Sequence, residues 1–276
     1  DDNSSGFFGR SLPRVEDDQL LRGQGCFIDD LDIPNVVDIA FVRSPYAHAR
    51  ILSIDVTAAQ TMPGVVAVYD GASVADRIKP LTNSEELRVP EGIAALNPVV
   101  KIQPAPILAV DEVNYVGQPI AMVVAETRYL AEDALEVIDI EYETLPAVLD
   151  MEAALEPDAP LALEGEVDNI GVHVRHGIGD VAAGIAAAAA VVDEIFATQR
   201  YVAAPIETRG MVAQNDPFTG GLMVWSTTQT PHRVRDHVAE SIGLSVDDVR
   251  VQSVDVGGGF GQKGILVVEE LLVPFA

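Results

Sequence analysis

The hydrophobic period of this chain changes twice between Val113 and Glu143. Val113 to Val124 has strand character, broken by the turn Gly117-Gln118-Pro119. Thr127 then stands where a helix N-cap belongs. Leu130, Ala131, Ala134, Leu135 and Ile138 follow at helical spacing on one face, with Glu132 and Asp133 on the other. Ile138, Ile140 and Tyr142 next alternate with Asp139, Glu141 and Glu143, a period of two. A helical bundle has no place for the alternating stretches, and an all-β fold has none for the helix. The pattern predicts an α+β fold.

The rest of the chain extends this reading. Residues 1–20 are polar and read as an arm. Val36 to Val42 is a strand candidate, and Leu52, Ile54 and Val56 alternate with Ser53 and Asp55. Met62-Pro63-Gly64 is a turn, followed by a strand over Val65 to Tyr69. Residues 78–105, with Pro80, Pro90, Pro98 and Pro104, read as an insertion or long loop. A first domain over 21–148 ends near Val148. Residues 149–168, with Pro157 and Pro160 among acidic residues and alanines, read as a linker with one short helix. In the second domain, 169–276, Val191 to Phe196, Arg200 to Ala203, Leu222 to Ser226 and Arg250 to Val256 are strand candidates. Thr230-Pro231 starts a helix that Gly243 ends near Ile242, and Ser245 opens a short further turn.

Composition narrows the function. The formal net charge is -26. That excludes nucleic acid and anionic membrane surfaces, which need lysine and arginine. No apolar run approaches ~18 residues, and the start lacks the features of a signal peptide, so a cytoplasmic protein is expected. The single cysteine, Cys26, supports no internal disulfide, zinc site or iron–sulfur cluster. It lies in the apolar run Gly25-Cys26-Phe27-Ile28 and is expected to be a buried thiol.

Two motifs are candidates for chemistry. Gly257-Gly258-Gly259-Phe260-Gly261 lets the backbone approach a ligand closely and point successive amides into one concavity. Phe260 could pack under a flat group. A tight turn between strand and helix is an equal reading of the same residues. The run lacks the spacing of a dinucleotide fingerprint, and Lys263 has no Ser or Thr after it, so it is no Walker loop. In Trp225-Ser226-Thr227-Thr228-Gln229-Thr230-Pro231-His232, Gln229 projects an amide between a strand end and a helix start. On its own this segment reads first as capping and turn.

Taken together, the motifs resemble those of the xanthine dehydrogenase and aldehyde oxidase family of molybdenum hydroxylases, including its carbon monoxide dehydrogenase branch. The interval between Gln229 and Gly257 is the one that family shows. Phe41-Val42-Arg43-Ser44-Pro45-Tyr46-Ala47-His48-Ala49-Arg50-Ile51 resembles its α/β hammerhead domain, as does Asn114-Tyr115-Val116-Gly117-Gln118-Pro119 followed by Ala131-Glu132-Asp133-Ala134. Glu207-Thr208-Arg209-Gly210 is similar to the segment that precedes its glutamine. The likeness covers roughly residues 6 to 264.

The resemblance implies a hammerhead domain over 21–148 and the opening part of a molybdopterin-binding α+β domain over 169–276. Gln229 would reach an oxygen ligand of molybdenum. Phe260 and Gly261 would lie along the pterin, with Gly258 and Gly259 shaping the turn. No residue of this chain would ligate the metal directly. The cofactor would be molybdopterin in its cytosine dinucleotide form. FAD would sit on a medium subunit and [2Fe–2S] centres on a small subunit, and a separate chain is a possible source of the rest of the domain. The reaction implied is hydroxylation of a small molecule with water as oxygen source. Its catalytic glutamate lies downstream in the family, beyond Ala276, so the chain alone is expected to be inactive. Glu269 and Glu270 match the wrong place and read as helix residues.

Gly264 follows Lys263 where purine-oxidising members carry a glutamate, which leaves aldehydes, N-heterocycles or carbon monoxide as substrates. His48 lies in the hammerhead motif. His173 and His176 have a metal-like spacing but no third ligand nearby, so a loop or strand position is expected. His232 and His237 do not share a helical face. A non-catalytic module of the same fold, binding a partner subunit or carrying cofactor, is the rival reading; an open reading frame continuing past Ala276 would separate the two. A hydrolase of the α/β type is disfavoured, since no Gly-x-Ser-x-Gly elbow is present.

Overall fold

A computed structural model describes residues 7–80, 99–101, 106–174 and 178–276. In chain order the first part holds α1 (Asp17–Leu21), β1 (Asp38–Arg43), β2 (Ala49–Asp55), α2 (Thr57–Gln60), β3 (Val65–Asp70), α3 (Gly71–Val74), β4 (Val99–Val100), β5 (Glu112–Val113), β6 (Pro119–Ala125), α4 (Arg128–Leu135) and β7 (Asp139–Thr144). The second holds β8 (Val172–His173), α5 (Val181–Ala187), β9 (Met211–Asn215), β10 (Leu222–Ser226), α6 (Pro231–Ile242), β11 (Val249–Ser253) and α7 (Glu269–Phe275). The α+β class expected from the changing period is what forms.

Strand β6 is the keel of the first part. It pairs antiparallel with β1 on one edge and β3 on the other, and every residue from Pro119 to Ala125 is buried. Pro119 is tolerated because it opens the strand, where a missing N–H costs least. One face of β6, with Val123 and Ala125, packs on Ala131 and Ala134 of α4. The Thr127 hydroxyl accepts the Leu130 N–H and starts that helix as predicted. The other face, with Met122 and Val124, enters a larger core discussed below.

A second sheet has the order β5-β2-β7. Here the predicted alternation fails in part. Ile51 is buried while Leu52 is 57% exposed, because a bulge between Ile51 and Ser53 inserts an extra residue against β7. The bulge reverses which parity faces inward, so Ile51 and Ile54 point to one side.

The third sheet has the order β11-β10-β9, with β10 and β11 parallel and joined through α6. Gly243, at φ 75, ends α6 as its sequence position predicts. β10, α6, β11 and α7 share one core with β6. Leu222, Val224, Val234, Val238, Leu266, Leu271 and Leu272 pack with Met122, Val124, Val74 and Ile78. The Lys79 N–H donates to Ser241 O across the same junction, and Arg43 pairs with Glu269 at 2.6 Å.

Three expectations change. Val191 to Phe196 and Arg200 to Ala203 are not strands. Residues 189–206 form an irregular ribbon in no helix or sheet, with Ile195 and Phe196 each 91% exposed. A β-rich composition makes a strand only when a partner edge is present. Cys26 is exposed rather than buried. Its main chain is what anchors the arm: Cys26 N–H donates to Asp255 Oδ2, and Cys26 O accepts from Asp255 N–H. β9 carries no clear alternation and was not foreseen. The predicted insertion over 78–105 lies largely outside the described residues, as does His176. The short pair β4–β8 includes His173, and no group of His, Cys, Asp and Glu suited to a metal occurs among the described residues. Nor is any described helix long and apolar enough to cross a membrane.

Candidate functional site

The parallel pairing of β10 and β11 brings the two sequence motifs together. Ser226 and Ser253, the last residues of these strands, are direct partners. Gln229 leaves the carboxyl end of one strand and Gly257 the carboxyl end of its neighbour. Side by side beyond a parallel pair is the usual place for a ligand in such sheets.

The glycine run turns back on itself here. Gly258 has φ 99, Phe260 φ 52 and Gly261 φ 86. Phe260 is a bulky residue in a conformation it rarely adopts, and its ring is 75% exposed. The Gly261 N–H donates to Gln229 Oε1 at 3.1 Å. A Cβ on Gly259 would lie 2.5 Å from that same oxygen, so the approach requires glycine. The N–H groups of Gly258, Gly259 and Phe260 make no hydrogen bond among the described residues. Three successive free amides bring partial positive charge to a partly open turn. Gln229 Nε2 likewise makes no hydrogen bond among the described residues, while its oxygen is taken by Gly261. The side chain therefore offers a donor outward.

Behind this turn the support is polar and partly charged. Glu207 Oε2 accepts the Gly257 N–H at 2.7 Å and the Lys263 ammonium at 2.8 Å. Lys263 is 1% exposed. Its carbonyl accepts the Gln229 N–H at 3.0 Å and the Thr228 hydroxyl at 3.3 Å. The Thr230 hydroxyl donates to Gly264 O instead of capping α6. Arg209 donates to Gln262 O and, at 3.1 Å, to Ile265 O. Glu270 accepts the Val267 N–H at 3.0 Å. Burial pushes the Glu270 carboxyl up, and neighbouring Glu269 adds to this; the Val267 N–H, Arg209 and Ser226 pull the other way.

Gln229, Gly258, Gly259, Phe260 and Gly261 thus come together in one place. Glu269 and Glu270 fall on α7, as read from the sequence. His48 is held in the first part by Glu112 and Pro146 O, at 2.5 Å and 2.7 Å, and takes no part in the turn. His232 and His237 lie on α6. Glu207, Arg209 and Lys263 are not among the site residues expected from the sequence; the likeness of Glu207-Thr208-Arg209-Gly210 to a family segment, and the place of Lys263 just after the glycine run, were the signals that could have found them.

Comparison with known proteins places the chain in a family. Residues 22–146 match the family model for the aldehyde oxidase and xanthine dehydrogenase a/b hammerhead domain, and residues 164–276 that for the molybdopterin cofactor-binding domain. The chain belongs to the xanthine dehydrogenase and aldehyde oxidase family of molybdenum hydroxylases. It corresponds to the N-terminal portion of their large subunit. It is 38% identical to the nicotine 6-hydroxylase large subunit of Paenarthrobacter nicotinovorans, over 97% of this chain and 32% of that protein. It is 37% identical to the carbon monoxide dehydrogenase large chain of Afipia carboxidovorans, over 92% of this chain and 31% of that one. Quinoline 2-oxidoreductase from Pseudomonas putida 86 superposes with a TM-score of 0.83 at 39% identity, over 97% of this chain and 33% of that chain. The chain therefore spans about a third of the length of these molybdenum hydroxylase relatives.

Proposed function

We propose that this chain supplies the pterin-side cradle of a molybdenum hydroxylase large subunit that oxidises an aldehyde, N-heterocycle or carbon monoxide with water as oxygen source. The names of the nicotine and quinoline relatives put N-heterocycles first. Gly264 in place of a glutamate after Lys263 speaks against purines. The observation that carries the reading is the meeting of Gln229 with the glycine run: the Gly261 N–H donates to Gln229 Oε1, beside the N–H groups of Gly258, Gly259 and Phe260, which make no hydrogen bond among the described residues.

The residues present fit a polyanionic pterin. In a chain of net charge -26, long-range electrostatics repel an anion, so local dipoles must hold it. Gly258, Gly259 and Phe260 would present their N–H groups to its oxygens. The exposed Phe260 ring would cover one of its faces. Gln229 Nε2 would donate to an oxygen on the metal without adding charge, held in direction by the Gly261 bond to its other end. When bound, the cofactor supplies the two-electron oxidation that no side chain here provides. A cytosine dinucleotide extension, an FAD subunit, an iron–sulfur subunit and a cytoplasmic location complete the proposal, with the catalytic glutamate outside this stretch.

The test is molybdenum and pterin content of the enzyme purified with its partners. Gly259→Ala drives a Cβ into Gln229 and is expected to lower molybdenum per subunit about tenfold or more, with Gln229→Ala less severe. Wild-type preparations free of both molybdenum and pterin would overturn the reading and favour a non-catalytic module.

A further inference from the structure

The ion pair between Glu207 and Lys263 lies directly behind the cradle, and the function proposed above leaves it without a role. Glu207 Oε2 joins the loop's first amide, at Gly257, to the Lys263 ammonium. Lys263 in turn holds Gln229 through its main chain. One linked pair therefore grips both the amide row and the glutamine. We infer that Glu207 and Lys263 are positioning residues, fixing the distance and direction between the Gln229 amide and the free N–H groups of Gly258, Gly259 and Phe260. This rests on the reading of the loop as a cofactor cradle.

Stability alone is a poor reason for such a pair. Desolvation offsets the attraction between buried charges, and an apolar pair of similar volume does as well or better. What an apolar pair lacks is direction. A single carboxylate oxygen accepting from Gly257 N–H and from the ammonium fixes where the loop begins. The other oxygen, Oε1, is buried with no partner among the described residues, so the hydrogen bonds that restrain the carboxylate there all run through Oε2. The contact is close: a Cβ on Gly257 would come within 2.5 Å of Glu207 Cβ. A shift of the pair moves the loop's first amide and the Gln229 backbone together. Misplacing groups by about 1 Å in a site of this kind costs turnover more than it costs affinity.

The complete enzyme with its partner chains carries the test, in Glu207→Gln, Lys263→Met and the apolar double variant Glu207→Leu/Lys263→Met. Thermal midpoint, molybdenum per subunit, turnover per bound molybdenum, the molybdenum(V) resonance spectrum and amide exchange at Gly257 and Gln229 are measured. The double variant is expected to keep the wild-type midpoint while turnover per molybdenum falls about tenfold to a hundredfold and KM stays within about twofold. Its resonance spectrum shifts, and the Gly257 and Gln229 amides exchange faster together. A double variant with wild-type turnover per molybdenum and unchanged exchange overturns the inference. If it does not accumulate, Glu207→Gln decides: it keeps shape and acceptor but drops the charge, and it should move the same readouts less far, whereas unchanged turnover and exchange overturn the inference. A wild-type enzyme without molybdenum sinks the cofactor reading instead, and coupled exchange at the two amides then still decides whether the pair positions the loop.

Discussion

Residues 119–125 and residues 191–202 are both apolar enough to be strands, and the fold treats them in opposite ways. The first, β6, has a partner on each edge, a helix on one face and the common core on the other. The second carries Val191, Val192, Ile195, Phe196, Tyr201 and Val202 and leaves all of them exposed. The difference lies in the edges on offer, not in the residues. β6 follows a tight turn that delivers it between β1 and β3, while the ribbon passes from α5 to Glu207 without meeting an open edge. Side-chain preference becomes a strand only when neighbouring N–H and C=O groups are in reach.

The sharpest way to break this comparison is truncation inside β6. Met122 is fully buried, so Met122→Ala is expected to cost about 3 kcal/mol in denaturant unfolding. A loss no larger than that of a surface change would mean that β6 is not the keel. A smaller effect comes from Glu270, which borders the same core on α7. Its carboxyl is raised by burial, so between the ordinary value of 4.5 and the raised one the folded protein binds the extra proton. Its contribution to stability is therefore most favourable below 4.5 and declines as pH rises through the folded-state value. Glu270→Gln should stabilise the fold at neutral pH, less than Met122→Ala destabilises it, with the gain vanishing in acid. A gain that instead grows on acidification would reverse the assignment. The smallest effect belongs to the ribbon: Phe196→Ser should change stability by no more than about 0.5 kcal/mol. Thermolysin, which cuts before large apolar residues, should cut the isolated 276-residue chain within residues 191–202 well before it cuts within residues 119–125; early cleavage within residues 119–125 would contradict the contrast.

Much of this was legible in the residues themselves. Thr127 and the face from Leu130 to Ile138 announce α4, and Pro231 and Gly243 bracket α6, because caps and periods are local properties; the Thr230 hydroxyl, expected to cap α6, is drawn instead to Gly264 O by a tertiary contact. The meeting of Gln229 with the glycine run was legible only through family likeness, since a parallel pairing joins residues that are distant in the chain. Leu52 misled because a bulge shifts parity without any mark in composition. Cys26 misled because the backbone, not the thiol, makes the anchoring contact. The pairing of Lys263 with Glu207 could not be read at all: nothing local says which of many carboxylates a lysine will find.

The shared core of β6, β10, α6 and α7 has a practical consequence. The linker expected from the sequence over 149–168 would invite division into two shorter polypeptides, one for each half. Yet Met122 and Val124 from the first and Leu222, Val224 and Leu271 from the second would then each confront water across a bare apolar seam. Cutting at that point in the sequence would divide a single solid, and each fragment would carry an adhesive wound where the other had been.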